Sequence, residues 1–108
     1  MANLLENKVA LVTGAGHPRG IGRAILNALT AQGATVIGCD LLGAEGLSDI
    51  DGLACDVTDK TMVKAVVETM IARHGQLDIV VNNAGVGRGS ADFLEITDTD
   101  WDVSLAVN

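Results

Sequence analysis

Short apolar runs alternate with amphipathic segments along this sequence, and this alternation constrains the fold more than any other feature. The four apolar runs cover residues 8–13, 34–40, 53–56 and 77–83. Uninterrupted apolar runs are typical of parallel strands that are buried on both faces of a sheet. Repeated strand–helix–strand units imply parallel pairing with right-handed crossovers. The sequence therefore predicts one α/β domain over residues 1–108, with a doubly wound parallel sheet in strand order 3-2-1-4.

The segments between these runs carry the spacing and end signals of helices. Apolar residues at helical spacing predict a first helix from Gly20 to a stop near Gly33. A second helix is expected from a cap at Thr58 or Asp59 to about residues 74–75, and a capping box over residues 97–100 predicts a third through Asn108. Residues 41–52 show weak periodicity and are predicted to be loop with little helix.

Composition excludes several classes of function. The formal charge of −7 argues against binding to nucleic acid or to anionic membranes. The sequence contains no apolar run of membrane-spanning length and no signal-peptide pattern at its start. Two cysteines do not form a disulfide framework, so Cys39 and Cys55 are expected to be buried, reduced thiols of a cytoplasmic protein. No metal site is predicted.

A glycine-rich turn follows the first strand and opens the first helix, over residues 13–22. Glycines let the backbone turn tightly and let a pyrophosphate approach the N–H groups of the helix. The context predicts a Rossmann-type dinucleotide site. Asp40 ends the next strand, 18 residues beyond Gly22. A carboxylate there can accept both ribose hydroxyls of the adenosine and would repel a 2′-phosphate, which predicts NAD as the cofactor and makes NADP the less favoured one.

Four motifs in fixed order carry a resemblance to a known family. They are Thr13-Gly14 with Gly20-Ile21-Gly22, then Asp56-Val57, then Asn82-Asn83-Ala84-Gly85, and finally Trp101 with Val107-Asn108. Together they resemble the short-chain dehydrogenase/reductases over essentially the whole sequence. The resemblance implies hydride transfer between a nicotinamide cofactor and a small secondary alcohol or ketone, in a protein that forms homodimers or homotetramers.

The resemblance also implies roles for individual residues. Asp56 and Val57 should flank the adenine, and residues 83–85 should lie along the ribose and steady the central strand. Asn108 matches the catalytic asparagine of the family, whose backbone carbonyl holds a water in a proton relay to a lysine. The cofactor-binding residues carried over are Gly14, Gly16, Arg19, Gly20, Ile21, Gly22, Asp40, Asp56, Val57, Asn83, Ala84 and Gly85.

The turn departs from the family pattern by a two-residue insertion. Five residues, 15–19, separate Gly14 from Gly20 where the family has three. The insertion leaves open which of residues 15–17 contacts the cofactor. The longer spacing also resembles the enoyl-thioester reductases of the same superfamily. Arg19 is typical of members that prefer the 2′-phosphorylated cofactor but can equally contact the pyrophosphate, whereas Asp40 favours NAD.

The residues that perform the family's proton transfer do not occur in this sequence. The family requires a tyrosine, a lysine four residues later and an upstream serine, and this sequence has no tyrosine. We therefore expect the sequence to be the N-terminal, cofactor-binding part of the enzyme, ending before the catalytic tyrosine and lysine. The alternative from a different class is a dinucleotide-binding module without catalytic activity.

Overall fold

The fold is a four-stranded parallel sheet with helices on both faces. A computed structural model describes residues 3–41, 47–85 and 97–107. The strands run in the order β3-β2-β1-β4, and every pairing is parallel, so the predicted α/β class and strand order are confirmed. In chain order the elements are β1 (Val9–Thr13), α1 (Ile21–Ala31), β2 (Thr35–Asp40), a short 3₁₀ helix (Leu47–Asp49), β3 (Gly52–Ala54), α2 (Lys60–His74), β4 (Ile79–Val81) and α3 (Asp98–Val107).

The central strand β1 divides two hydrophobic clusters, one on each face of the sheet. All five of its residues are buried, because β2 and β4 flank it and helices cover both faces. Successive side chains of a strand point to opposite faces. Val9 and Leu11 accordingly pack in a cluster with Met70 of α2, while Ala10 and Val12 pack in a second cluster with Leu26 of α1. This two-sided burial explains the continuous apolar character of the strand.

The amino end of β1 is fixed to the segment before β4 by a group of hydrogen bonds. The Asp78 Oδ2 accepts from the Val9 N–H at 2.8 Å and from Gln76 Nε2 at 2.7 Å. The Gln76 Nε2 also donates to the Asn7 carbonyl at 2.6 Å. The bond from Val9, with the bond from Gln76, lowers the pKa of the Asp78 carboxyl below its ordinary value of 3.8. Asp78 therefore remains an anionic acceptor at neutral pH.

The third and fourth strands each end two residues earlier than the apolar pattern predicts. The third strand spans residues 52–54 rather than 53–56, because the chain turns after Cys55 and the Asp59 N–H donates to the Asp56 carbonyl at 2.9 Å. The fourth spans residues 79–81 rather than 77–83, and Asn83 turns back to donate its N–H to the Val81 carbonyl at 3.0 Å. In both places backbone groups of polar residues form turns instead of extending the strand ladder.

The helix ends agree with most of the sequence signals. The Asp59 side chain caps α2 by accepting from the N–H groups of Thr61 and Met62, and Gly75 ends the helix in the left-handed conformation. The segment predicted to be loop contains the short 3₁₀ helix, and its residues 42–46 lie outside the described part. Within the described ranges, no helix has the length and apolar character needed to cross a membrane.

The two cysteines are buried free thiols, as predicted. Cys39 in β2 is 1% exposed and Cys55, which follows β3, is 4% exposed. Burial raises the pKa of the Cys39 thiol to about 12, and the neighbouring Cys55 contributes to the shift. Cys39 is therefore a neutral core side chain rather than a nucleophile.

Candidate dinucleotide-binding site

The turn after β1 lies at the carboxyl edge of the sheet, where open α/β sheets bind their ligands. Gly14 has φ of +69°, a conformation that L side chains rarely adopt. A Cβ atom on Gly14 would also lie 2.9 Å from the Cα of Ala84, which follows β4. Glycine is thus required at position 14 both by the backbone conformation and by the close approach of the two segments.

A hydrogen-bonded junction, made by Thr13 and Asn83, joins the end of β1 to the segment after β4. The Thr13 Oγ1 accepts from the N–H groups of Asn83 at 3.0 Å and Ala84 at 2.9 Å, and its hydroxyl donates to the Val81 carbonyl at 3.3 Å. The Asn83 Nδ2 donates to the Thr13 carbonyl at 3.1 Å and to the Gly14 carbonyl at 3.3 Å. The Asn83 side chain therefore holds the first residues of the turn in place.

The N-terminus of α1 has the properties of an anion site. Its N-cap residue, Gly20, makes no side-chain capping hydrogen bond, and no acidic residue lies in the first turn. A helix end of this kind presents N–H groups and the positive end of the helix dipole to a phosphate. A Cβ atom on Gly22 would lie only 2.5 Å from the Gly14 carbonyl oxygen, so α1 and the turn are in tight contact. Ile21 is 75% exposed beside this helix end.

Asp40 contributes its carboxylate to the turn as well as to the edge of the sheet. The Asp40 Oδ2 accepts from the Gly16 N–H at 2.9 Å, and its Oδ1 accepts from the Leu41 N–H at 2.8 Å. Each carboxylate oxygen has more than one acceptor position, so hydrogen bonds from ribose hydroxyls remain available. Asp40 therefore connects the turn to the place where an adenosine ribose would bind.

A cleft of about 200 Å³ lies at this edge of the sheet and collects most of the expected residues. Its lining also includes Leu41, Cys55 and Val107, the last residue of α3. The sequence-predicted residues that line the cleft are Gly14, Asp40, Asp56, Val57, Asn83, Ala84 and Gly85.

The other predicted residues lie on the turn and at the start of α1. They are not part of the cleft lining: Gly16, Arg19, Gly20, Ile21 and Gly22.

Arg19 is exposed, and its N–H donates to the Nδ1 atom of His17 at 3.0 Å. This bond, with the one from the Gly20 N–H to the His17 carbonyl at 2.9 Å, folds residues 17–20 into a compact turn. His17 therefore has a role within the turn itself. The predicted catalytic residue Asn108 lies outside the described residues.

Asp56 places a second carboxylate on the cleft. Its Oδ1 accepts from the Thr58 hydroxyl at 2.7 Å and from the Thr58 N–H at 2.9 Å. These bonds, the hydroxyl first, hold the pKa of the Asp56 carboxyl below its ordinary value of 3.8. The cleft is thus bordered by Asp40 on one strand end and by an anionic Asp56 on the next.

Sequence reasoning missed two residues that shape this site. Thr13 belongs to the glycine-rich motif but was given no role in the site, although its hydroxyl is the centre of the junction described above. Arg23 was not considered, although its side chain is 7% exposed and reaches the turn. A signal was present, since Arg23 is the only charged residue of α1.

Among the residues that the structure describes, no group of three His, Cys, Asp or Glu side chains could hold a metal ion. The groups at this edge of the sheet are backbone N–H groups, carboxylates and apolar surfaces, which match an organic ligand. This set fits a dinucleotide, because its phosphates match the helix end and its ribose hydroxyls match Asp40.

Comparison with known proteins agrees with this geometry. The family profile described as short chain dehydrogenase matches residues 8–108. The 3-oxoacyl-acyl-carrier-protein reductase FabG of Escherichia coli strain K12 is 42% identical over an alignment of 110 positions, which covers 95% of this chain and 44% of that protein. The D-threitol dehydrogenase of Mycolicibacterium smegmatis is 42% identical over an alignment of 115 positions, which covers 96% of this chain and 43% of that protein.

A solved structure shows the same fold. The crystal structure of a short chain dehydrogenase from Mycobacterium smegmatis superposes with a TM-score of 0.87 at 32% sequence identity, covering 97% of this chain and 48% of that one. The chain therefore spans less than half the length of the proteins that it matches. The profile match over residues 8–108, the parallel sheet and the turn at its edge lead to one conclusion: this chain belongs to the short-chain dehydrogenase family.

Proposed function

We propose that this chain is the NAD(H)-binding domain of an oxidoreductase that transfers a hydride between nicotinamide and a secondary alcohol or ketone. The observation that supports it most is the cleft where Gly14, Asp40 and Asn83 meet beside the uncapped end of α1. The names of two relatives support the reaction class. One is a reductase of a 3-oxoacyl group, which carries a ketone, and the other is a dehydrogenase of threitol, which carries secondary hydroxyls.

Each part of the site is assigned a part of the cofactor. The N-terminus of α1 binds the pyrophosphate, Asp40 accepts the adenosine ribose hydroxyls, and Val57 borders the adenine. Ile21, exposed beside the helix end, offers an apolar surface to the nicotinamide. A bound nicotinamide supplies or accepts the hydride.

This chain's part of the reaction is to bind and orient the cofactor. The tyrosine expected for proton transfer in the family does not occur among these 108 residues. Asn108 is assigned to the proton relay. The intact protein is proposed to act as a cytoplasmic homo-oligomer, as the family resemblance implies.

Two carboxylates on the cleft support NAD(H) over the 2′-phosphorylated cofactor. A 2′-phosphate bound next to Asp40 would place its negative charges near that carboxylate and near the anionic Asp56. Like charges in contact are unfavourable unless a cation compensates them. Arg19, the basic residue of the turn, is exposed and does not line the cleft.

Calorimetric titration of the intact natural protein tests this function. We expect NADH to bind at least about tenfold more tightly than NADPH, a difference of about 1.4 kcal/mol. Turnover is then measured with NADH and a short 3-oxoacyl thioester, and with NAD and a tetritol such as threitol. If neither NADH nor NADPH binds, the proposal is refuted. If NADPH binds more tightly than NADH, the cofactor assignment is refuted.

The control is Asp51→Asn. It removes one carboxylate charge from an exposed ion pair with Arg73, at 3.6 Å, which does not line the cleft. Its affinities for both dinucleotides should match those of the wild type. A change in this variant would mean that total charge, rather than the cleft carboxylates, sets the preference.

A further inference from the structure

Arg23 is a buried cation in the first turns of α1, with contacts to two other segments. Its Nε donates to the Ala15 carbonyl at 3.1 Å, and its Nη2 reaches the Gly16 carbonyl at 3.5 Å. Its Nη1 forms an ion pair with Asp49 at 3.1 Å. Burying a charge is unfavourable unless hydrogen bonds and an opposite charge compensate it. Within the part of the chain that the structure describes, these three acceptors contribute to that compensation for the Arg23 guanidinium.

The same two residues of the turn are also held from the side of β2. The Gly16 N–H donates to the Asp40 Oδ2 at 2.9 Å, and the Ala15 N–H donates to the Cys39 carbonyl at 3.1 Å. Both residues are thus bound through their N–H to the end of β2 and through their carbonyl to α1. A turn lengthened by two residues has more conformational freedom than a shorter one, and these contacts restrict it.

The direction of the Ala15 and Gly16 carbonyl groups affects how tightly an anion can bind at the N-terminus of α1. A carbonyl oxygen carries partial negative charge, so it would weaken phosphate binding if it faced the N-terminus of α1. Arg23 draws the Ala15 and Gly16 oxygens towards a buried guanidinium instead. Its positive charge lies beneath the turn and adds to the attraction for an anion.

We propose that Arg23 is a positioning residue that fixes Ala15 and Gly16 of the turn for binding the dinucleotide's phosphates. The inference rests on the proposed function, since it assumes that the turn binds a dinucleotide. Lysine cannot replace arginine in this role. A single ammonium group can keep the ion pair with Asp49, but it lacks the planar arrangement of donors that reaches both carbonyls.

The test compares two fragments of the cofactor as competitors of NADH binding to the intact protein. ADP-ribose contains the pyrophosphate, whereas adenosine contains none of the phosphates. We expect Arg23→Lys to weaken the binding of ADP-ribose by about tenfold and the binding of adenosine by less than about twofold. The matched control is Arg73→Lys, which alters the exposed ion pair with Asp51 and should change neither affinity.

Each result decides the inference. Equal weakening of both fragments, or unchanged binding of ADP-ribose, would overturn it, because a general structural role does not depend on the phosphates. If Arg23→Lys does not fold, Asp49→Asn replaces it and should weaken ADP-ribose alone by about twofold, since the Asp49 side chain is largely exposed. Unchanged ADP-ribose binding in that variant also overturns the inference. Failure of the wild type to bind NADH would instead refute the proposed function, before any variant is made.

Discussion

An alanine at position 22 would place its methyl group inside the contact between α1 and the turn. The new Cβ would lie 2.5 Å from the Gly14 carbonyl oxygen and 2.6 Å from the Asn83 Nδ2. Ordinary contact begins at 3.4 Å, so these groups must retreat by about 0.9 Å. Neither can move freely, because one is backbone and the other donates to the carbonyls of Thr13 and Gly14.

The expected cost is the balance of one stabilising and two destabilising contributions. Alanine is favoured over glycine within a helix by about 0.5–1 kcal/mol. Overpacking of a tight contact costs about 1–3 kcal/mol, and loss of the Asn83 hydrogen bonds adds about 1 kcal/mol. We therefore expect Gly22→Ala to lower the free energy of unfolding by about 2 kcal/mol. Guanidinium unfolding of the intact protein measures this as a lower midpoint at unchanged slope.

A double-mutant cycle with Asn83→Ala locates the clash. Removing the Asn83 amide takes away one of the two opposing groups, so Gly22→Ala should cost about 1 kcal/mol less in that background. If the two costs simply add, the methyl group does not meet Asn83. If Gly22→Ala is as stable as the wild type, the turn is not packed against α1 as tightly as these distances require.

Three other experiments test separate parts of the structure. Asp40→Asn should reduce the preference for NADH over NADPH by about tenfold in calorimetric titration, and an unchanged ratio would remove Asp40 from cofactor selection. Asp78→Asn keeps the acceptor for Val9 but loses its charge. Because folding lowers the pKa of Asp78, this variant should be less stable than the wild type at pH values well above 3.8, and the difference should disappear as the pH falls through the lowered pKa of the folded state. Urea unfolding at several pH values measures this difference. A difference in stability that does not change with pH would contradict the prediction. Cys39, with its pKa raised to about 12, should resist iodoacetamide in the folded protein and react after unfolding, as followed by intact mass; rapid reaction of the folded protein would contradict its burial.

The arrangement of the sheet could be predicted from sequence because the apolar pattern depends on burial alone. A run such as residues 9–13 is buried on both faces, which only an interior strand of a covered sheet allows. The ends of the strands could not be predicted in the same way. Asp78 and Asn83 border β4 in sequence, but their hydrogen bonds serve the two ends of β1. An apolar pattern does not report which partner a backbone N–H takes.

The grouping of the candidate site residues could also be predicted, because the carboxyl ends of parallel strands meet at one edge. Gly14, Asp40 and Val57 therefore line the same cleft although they lie at or just after the ends of three different strands. The contacts of Arg23 could not be predicted, since its acceptors are carbonyl groups of an insertion whose conformation the sequence does not specify. A charged residue on a helix is usually solvated, so its burial gives little signal in sequence.

The junction between Thr13 and Asn83 has a consequence for the time at which the site forms. Its hydrogen bonds join residues that are 68 to 71 positions apart in the chain. Contacts of such long range form slowly, because a large loop must close before they gain any energy. During synthesis the first strand and its turn must wait until residue 84 has left the ribosome. A ligand that binds only the finished turn would therefore stabilise the pairing of β4 with β1 and slow the separation of these two strands.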